Sequence, residues 1–536
     1  MGFTIKPPPG TPGKAWPAIC VGLFVAFGGV LFGYDTGTIN GILAMPFWLK
    51  TFSTGHVDKN GDPAITSSQS SMIVSLLSAG TFFGALTASP TGDYIGRKLG
   101  LMVSCLVFCF GVILQTAATA IPLFTAGRFF AGYGVGMISA LIPLYQSETA
   151  PKWIRGTIVG TYQLAITVGL LLAAVVDNAT KDRQDSGSYR IPIAVQFLWA
   201  LILAGGMLVL PETPRMYIKR GKPEAAAKAL AKLRRLDIDH PAVVEELGEI
   251  AANHEYEMSL GKATYADCFR GNIGVRLLTG CLLQSLQQLT GVNFIFYYGT
   301  SFFKRAGIQN SFVISMITSA VNVSSTFPGL YMVETWGRRP LLLFGAVGMA
   351  VCQFIVASVG VGAGVDNQAA QNALIAFVCI YIFFFACSWG PCAWVVTGEI
   401  FPLKVRAKSL SMTTASNWLL NWAIAYSTPY MVDPGPGNAN LGAKVFFIWG
   451  TFCFVCIIFV YFMIYETKGL ALEQVDELYA KVPHAWKSAG FVPTVSFTEV
   501  TEVGGDFRKA SLADIENNAM RKKSVQHEEH NADEKS

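Results

Sequence analysis

The chain has 536 residues, of which 52% are hydrophobic, 12% aromatic and only 14% charged, with a mean hydropathy of +0.43. Soluble proteins carry about 25% charged residues, and single soluble cores stop growing at roughly 250 to 300 residues. This composition excludes a cytosolic enzyme, a disordered protein and a secreted disulfide scaffold, and predicts a polytopic protein whose solvent is lipid.

Twelve apolar stretches approach the roughly 20 residues needed to cross a hydrocarbon core. In chain order they fall at about 16–36, 70–90, 99–119, 122–144, 157–177, 190–211, 275–299, 312–334, 341–364, 373–397, 408–430 and 444–464. The first follows a short Pro-rich N-terminus, 1–15, without an A-x-A cleavage site, which predicts a retained helix and not a removed signal peptide. The longest interior break, 212–274, carries the amphipathic pattern AAAKALAKLRRL and predicts short surface helices between two six-span bundles, 16–211 and 275–464. The tail, 465–536, turns polar, and disorder is expected beyond about 490.

The net charge of +5 does not form one patch, so no nucleic-acid partner is expected. Its positive residues cluster in short loops: Arg97-Lys98 after span 2, Lys152 and Arg155 after span 4, Arg338-Arg339 after span 8, and Lys404, Arg406 and Lys408 after span 10. Such loops belong in the cytoplasm, which sets both termini there and turns the loop at 37–69 and the sequon Asn178-Ala179-Thr180 outward. A second sequon, Asn322-Val323-Ser324, falls inside a span and is inaccessible. Ten of the eleven cysteines lie in apolar runs, including the pair Cys453 and Cys456, so neither a disulfide framework nor a metal site is expected. No cofactor is expected either.

Acid and base motifs repeat across the two halves. Asp93-x-x-Gly96-Arg97-Lys98 recurs as Glu334-x-x-Gly337-Arg338-Arg339, an offset of 241 from residue 93 to residue 334. Glu148 and Arg155 recur as Glu399 and Arg406 at an offset of 251, and Glu212-Thr213 recurs as Glu466-Thr467 at 254. Three ordered motifs at nearly one offset point to a duplicated six-helix unit, as in transporters whose bundles rock around a midplane site. All lie at cytoplasmic span ends. There they either form ion pairs that close the two halves against each other or simply anchor helix ends.

Two ionisable residues lie deeper, Asp35 in LFGYDTGTI and Arg128 in AGRFFAGYGVG. Each is costly alone in hydrocarbon and needs a partner. All six histidines fall outside the spans, so a proton carrier inside the membrane would have to be a carboxylate. Protonation of Asp35 would release Arg128 and bias a conformational equilibrium; a permanent ion pair joining spans 1 and 4 is the other reading. Uncharged amides gather in spans 5, 7, 8 and 11: Gln163, Gln284, Gln287, Gln288, Asn293, Asn322, Asn417 and Asn421. An amide both donates and accepts, which suits a neutral polyhydroxylated ligand, and Trp394, Trp389 and Phe32 could stack on a sugar ring. Helix-to-helix glue explains any single amide as well, but eight together exceed that need.

These residues sit in motifs that resemble the sugar porters of the major facilitator superfamily, most closely the fungal hexose transporters. They are GYDTG at 33–37, GDYIGRK at 92–98, Gly127-Arg128, PLYQSETAPKWIRG at 143–156, PETPR at 211–215, QQLTGVNFIFYY at 287–298, ETWGRRP at 334–340 and WGPCAWVVTGEIFPLKVRAKS at 389–409. The resemblance implies an all-α membrane protein with twelve transmembrane helices in two pseudo-symmetric six-helix bundles. It implies that Gln163, Gln287, Gln288, Asn293, Asn322, Trp394 and Asn417 contact the sugar, that Tyr297 stands at an outer gate, and that Gly390-Pro391 forms a flexible break in span 10. It further matches Asp93, Arg97, Glu148, Arg155, Glu334, Arg338, Glu399 and Arg406 to an inner charge relay, and Asp35 and Arg128 to the pair of proton-coupled members. The usual PETKG ending departs to Tyr465-Glu466-Thr467-Lys468-Gly469, Ser388 stands where many animal facilitators have Glu, and some yeast facilitators share the Asp of GYDTG.

The expected function is alternating-access transport of a monosaccharide, foremost glucose, across the plasma membrane by a monomer, with protons as the coupling ion. Facilitative uniport is the alternative; a transport-inactive glucose sensor shares the fold, although such receptors carry much longer tails. An enzyme is not expected, because there is no Walker motif, metal cluster or nucleophile–base pair.

Overall fold

The computed structural model describes residues 14, 16–57, 61–151, 155–259, 264–305, 310–362, 367–402, 405–470 and 472–492. The expected disordered tail, the N-terminal segment before Lys14, Lys152, Lys404 and the side chain of Arg155 lie outside the described residues. The described chain is helical throughout and contains no strand, only the bridge between Val57 and Pro63.

Among the described residues twelve spans follow one another. Span 1 is Trp16–Ala26 with Gly28–Ile42, span 2 Ser67–Tyr94, span 3 Arg97–Ala117, span 4 Ile121–Thr149, span 5 Arg155–Thr180 and span 6 Gly187–Val209. Span 7 is Gly271–Leu289 with Val292–Arg305, span 8 Ser311–Thr335, span 9 Arg338–Gly362, span 10 Gln368–Cys387 with Trp389–Glu399, span 11 Arg406–Val432 and span 12 Val445–Met463. Ten of them are long and apolar enough to cross a membrane by length and composition. Spans 7 and 11 fall short for physical reasons. Span 7 is split into helices of 19 and 14 residues around Gly291, and span 11 carries Ser409, Ser411, Thr413, Thr414, Ser416, Asn417 and Asn421. A polar helix is stable at membrane depth where its polar face is turned into the protein.

The halves meet along two equivalent seams, span 2 against span 11 and span 5 against span 8, with the second piece of span 7 against span 1. Small residues allow close approach. A Cβ on Gly33, in the GYDTG motif, would stand 1.9 Å from the Ile166 carbonyl oxygen of span 5. Hydrogen bonds across the seams are neutral: Ser78 Oγ donates to Asn421 Oδ1 at 2.5 Å, Ser411 Oγ to the Ala85 carbonyl at 2.8 Å, Trp418 Nε1 to Ser139 Oγ at 3.3 Å, and the Thr300 amide to Asn40 Oδ1 at 3.0 Å.

Between the halves lie the surface helices Pro214–Lys219, Pro223–Arg234 and Pro241–Ser259, the last two clasped by Arg234 and Glu246 at 2.7 Å. The helix Leu472–Lys481 docks under span 7 through the Arg276–Asp476 ion pair. Span 5 extends to Thr180, so the sequon at Asn178 forms the last helical turn, with Thr180 buried and bonded to the Val176 carbonyl at 3.0 Å, and not an open loop.

Span 2 turns into span 3 at Gly96 with φ +101°, and span 8 into span 9 at Gly337 with φ +100°. A Cβ on Gly337 would also stand 2.6 Å from Glu466 Oε2. Gly337→Ala is therefore expected to destabilise the protein by more than about 1 kcal/mol, read as a lower Tm of the purified protein, whereas Gly205→Ala, in open space within span 6, should not lower it. Equal Tm values for the two variants would contradict this account of the turn.

Candidate functional site

Where spans 1, 5, 7, 8, 10 and 11 converge, they leave a cavity with about 590 Å³ of empty space. It is lined by Gln163, Gln287, Gln288, Asn293, Asn322, Trp394 and Asn417, the whole set that the sequence motifs single out for a sugar. Phe32 and Asn421 line it too, as do Thr36 and Trp418, which the sequence reading passed over.

The amides are organised around Asn417. Its Nδ2 donates to Gln284 Oε1 at 2.7 Å and Gln287 Oε1 at 2.9 Å, and its Oδ1 accepts from Gln288 Nε2 at 3.0 Å. Gln288 Oε1 in turn accepts from Asn421 Nδ2 at 3.1 Å and from Asn293 Nδ2. Gln287 Nε2 donates to the Trp389 carbonyl at 2.9 Å and the Gly390 carbonyl at 3.3 Å, tying span 7 to the break in span 10. That break falls at Ser388 (φ −126°, ψ −80°), two residues before the expected Gly390-Pro391. Asn322 Oδ1 is buried with no protein partner among the described residues. The cavity thus offers amide groups that hold one another in place, plus a buried acceptor open to a ligand hydroxyl.

Two expectations shift. Trp389 does not line the cavity: its buried indole donates to the Leu342 carbonyl of span 9 at 3.0 Å and packs spans 9 and 10 together. Gln284 is also outside the lining, bridging Asn417 to Thr397. Tyr297 stands beside the cavity, its hydroxyl donating to Asn421 Oδ1 at 3.1 Å, while Tyr298 OH donates to the Ala425 carbonyl at 2.7 Å. Beyond them, Arg305 and Asp433 join the ends of spans 7 and 11. Burial raises the Asp433 carboxyl above its ordinary range, and the Arg305 guanidinium opposes that shift.

Asp35 and Arg128 meet at 2.9 Å between spans 1 and 4, with side-chain exposures of 0% and 1%. The pair is incompletely satisfied. Asp35 Oδ2 and Arg128 Nε and Nη2 have no hydrogen-bond partner among the described residues.

Comparison with known families matches residues 21–479 to the family "Sugar (and other) transporter". The chain belongs to this sugar transporter family. Among curated relatives, this transporter is 66% identical to the major facilitator-type transporter ecdD of Aspergillus rugulosus, covering 92% of this chain and 93% of that one. It is 57% identical to the probable glucose transporter rco-3 of Neurospora crassa, over 94% of this chain and 86% of the relative. It is 45% identical to the high glucose sensor RGT2 of Saccharomyces cerevisiae, over 87% of this chain and 61% of that longer protein. Among solved structures, the proton:xylose symporter XylE bound to 6-bromo-6-deoxy-D-glucose superposes with a TM-score of 0.74 at 26% identity, covering 87% of this chain and all of the other. The protein is thus a multi-pass membrane sugar transporter with the major facilitator fold, and not an enzyme.

In this sugar transporter the repeated acid and base motifs form two matching clusters. Arg97 meets Glu148 at 3.0 Å and Asp93 at 3.4 Å; Arg338 meets Glu399 at 2.8 Å and Glu334 at 3.4 Å. Thr213 Oγ1 donates to Glu148 Oε2 at 2.5 Å, and Thr467 Oγ1 to Glu399 Oε2 at 2.7 Å. Glu212 accepts the Lys98 amide at 3.1 Å, and Glu466 accepts the Arg338 and Arg339 amides at 3.0 Å. The ion pairs of Arg97 and Arg338 therefore join helices of one half each and do not bridge the halves. The positive-φ glycine at each turn folds the Arg back against its own bundle, a placement that spacing along the chain does not reveal. Arg406 donates to the Phe401 carbonyl at 3.0 Å. The four residues of the Glu-Thr repeat are the members that the sequence reading noticed without a role; their common offset was the available signal.

Proposed function

We propose that this sugar transporter moves a hexose, glucose first among them, across the plasma membrane by alternating access, with both termini in the cytoplasm, and that Asp35 and Arg128 couple sugar movement to protons. The amide-lined cavity carries the hexose reading: hydroxyls of a pyranose would take up donors and acceptors at Gln163, Gln287, Gln288, Asn293, Asn322 and Asn417, with Trp394 and Phe32 against the apolar ring face. The names of the Neurospora relative and of the XylE structure with its bound glucose analogue support the same substrate class. Tyr297 and Tyr298, bonded to span 11 beside the cavity, serve as the outer gate. The clusters of Asp93, Arg97 and Glu148 and of Glu334, Arg338 and Glu399, with Arg155 and Arg406 at the starts of spans 5 and 11, keep each half rigid at its cytoplasmic end while the halves rock.

Coupling follows from the unsatisfied pair. Protonation of Asp35 would remove its charge and free Arg128, changing how spans 1 and 4 sit around the sugar. The 45% identity to a glucose sensor favours a second reading, in which sugar binding drives signalling without transport. Uptake of radiolabelled glucose by cells lacking their own hexose carriers, with and without a protonophore, separates the readings. Protonophore-sensitive accumulation is the expected result, equilibration alone makes the protein a uniporter, and no uptake makes it a sensor.

Gln287→Ala and Asn293→Ala are each expected to weaken apparent sugar affinity by about 1 to 3 kcal/mol at unchanged surface expression. Normal affinity in both would remove the sugar assignment from this cavity. Asp35→Asn, an amide mimic of the protonated acid, is expected to abolish concentrative uptake while retaining downhill exchange. Continued accumulation in that variant would exclude Asp35 as the coupling carboxylate.

A further inference from the structure

At the end of span 5 opposite the charge clusters, a second carboxylate is sealed inside the protein. Asp177 is 1% exposed, and neither Oδ1 nor Oδ2 has a hydrogen-bond partner among the described residues. It lines a small void between spans 1, 5, 7 and 8, together with Gly41, Asn40, Thr300, Ser315 and Ser319. No other ionisable residue lines this void.

The neighbouring charged groups are engaged elsewhere. Just past the end of span 5, Lys181 lies over the ring of Phe312, which also lines the void, at 5.1 Å from its centroid. In the turn to span 6, Arg183 and Asp185 pair with each other at 2.9 Å, and on span 6 Arg190 lies over Tyr189 at 5.8 Å. Span 1 contributes the phenol of Tyr34 and the backbone of Gly41, so close that a Cβ there would stand 2.2 Å from Asp177 Oδ2. Spans 7 and 8 present Thr300 and Ser315, whose hydroxyls bond each other at 2.6 Å. A carboxylate anion in such a place has no paired cation among the described residues, only the Gly41 backbone beside it, and burying a charge without a counter-ion is costly. Asp35 differs in its surroundings: the Arg128 guanidinium stands 2.9 Å from it.

We propose that Asp177 holds a proton while spans 1, 5, 7 and 8 are packed together on this side of the cavity, and that separation of these spans wets the void and lets the proton leave. The wall it stands in includes Thr300, whose amide donates to Asn40 Oδ1 at 3.0 Å and joins span 7 to span 1 across the two halves. Closing that joint requires a neutral Asp177; an ionised one resists it. Asp177 is thus a proton site separate from the Asp35–Arg128 pair, set on the closure step and not beside the sugar. The inference rests on the alternating-access reading above but not on symport, because a uniporter would carry the same site.

Infrared difference spectra of purified protein at neutral pH provide the direct test. Unmodified protein minus Asp177→Asn should show the carbonyl band of a protonated carboxylic acid, and Asp35→Asn protein should retain that band. Its absence from the first difference would overturn the proposal. Should Asp177→Asn fail to fold, the Asp35→Asn background supplies a second readout: sugar binding should weaken as pH rises, approaching about tenfold per pH unit once Asp177 ionises in the open form. Binding in that background that does not change with pH would overturn the proposal as well. Failure of protonophore-sensitive uptake in the unmodified protein would touch only the symport reading.

Discussion

The interior is governed by the cost of leaving a polar group without a partner where water is scarce. Asn417 answers that constraint most fully. It sits between Gln284, Gln287 and Gln288, using both ends of its amide, so span 11 and span 7 share one network. The network around Asn417 stays satisfied when the pocket is empty, with Asn322 Oδ1 left as an open acceptor, and a hydroxylated ligand can exchange bonds with the amides one for one. Trp394 then adds an apolar face in the same cavity. Polarity and stability are compatible here only because the amides supply each other's partners.

The same constraint divides the molecule into rigid and separable parts. Inside each half, Arg97 and Arg338 make charge-assisted contacts to two acids each, and Glu148, Asp93 and Glu399 are fixed by further hydrogen bonds from Thr213, Lys219 and Thr467. Such bonds are roughly twice as strong as neutral ones. Across the seams, the contacts described above are neutral: Ser78 with Asn421, Ser411 with Ala85, Trp418 with Ser139, Thr300 with Asn40. Charged bonding within halves and neutral bonding between them is the distribution that lets two bundles rock as bodies.

Much of this was legible in the sequence, and the exceptions have physical causes. Hydropathy marks ten spans directly, and spans 7 and 11 stand out only as weaker apolar stretches, because their polar faces turn inward. The repeat at 241 to 254 residues marked the cluster members, since duplication preserves spacing. Spacing cannot say which helix ends become neighbours, so the sequence leaves open whether Arg97 and Arg338 pair between the halves or anchor helix ends, and their contacts are found within each half. The indole of Trp389 looked like a stacking group because only a structure shows that it points to span 9. Asp177 escaped notice for a related reason: the apolar run of span 5 ends there, and an acid at a hydrophobic boundary reads as the start of a loop. The helix continues one turn further and carries it into the interior.

The central claim is that the amide and indole cavity of spans 1, 5, 7, 8, 10 and 11 is where the hexose binds. The most direct measurement is the intrinsic tryptophan fluorescence of purified protein titrated with D-glucose, with L-glucose as the control and Trp394→Phe as the reporter variant. The account predicts a saturable change with D-glucose, none with L-glucose, and loss of most of the signal in Trp394→Phe. An unchanged, saturable signal in Trp394→Phe, or no saturable response to D-glucose in the unmodified protein, would contradict it.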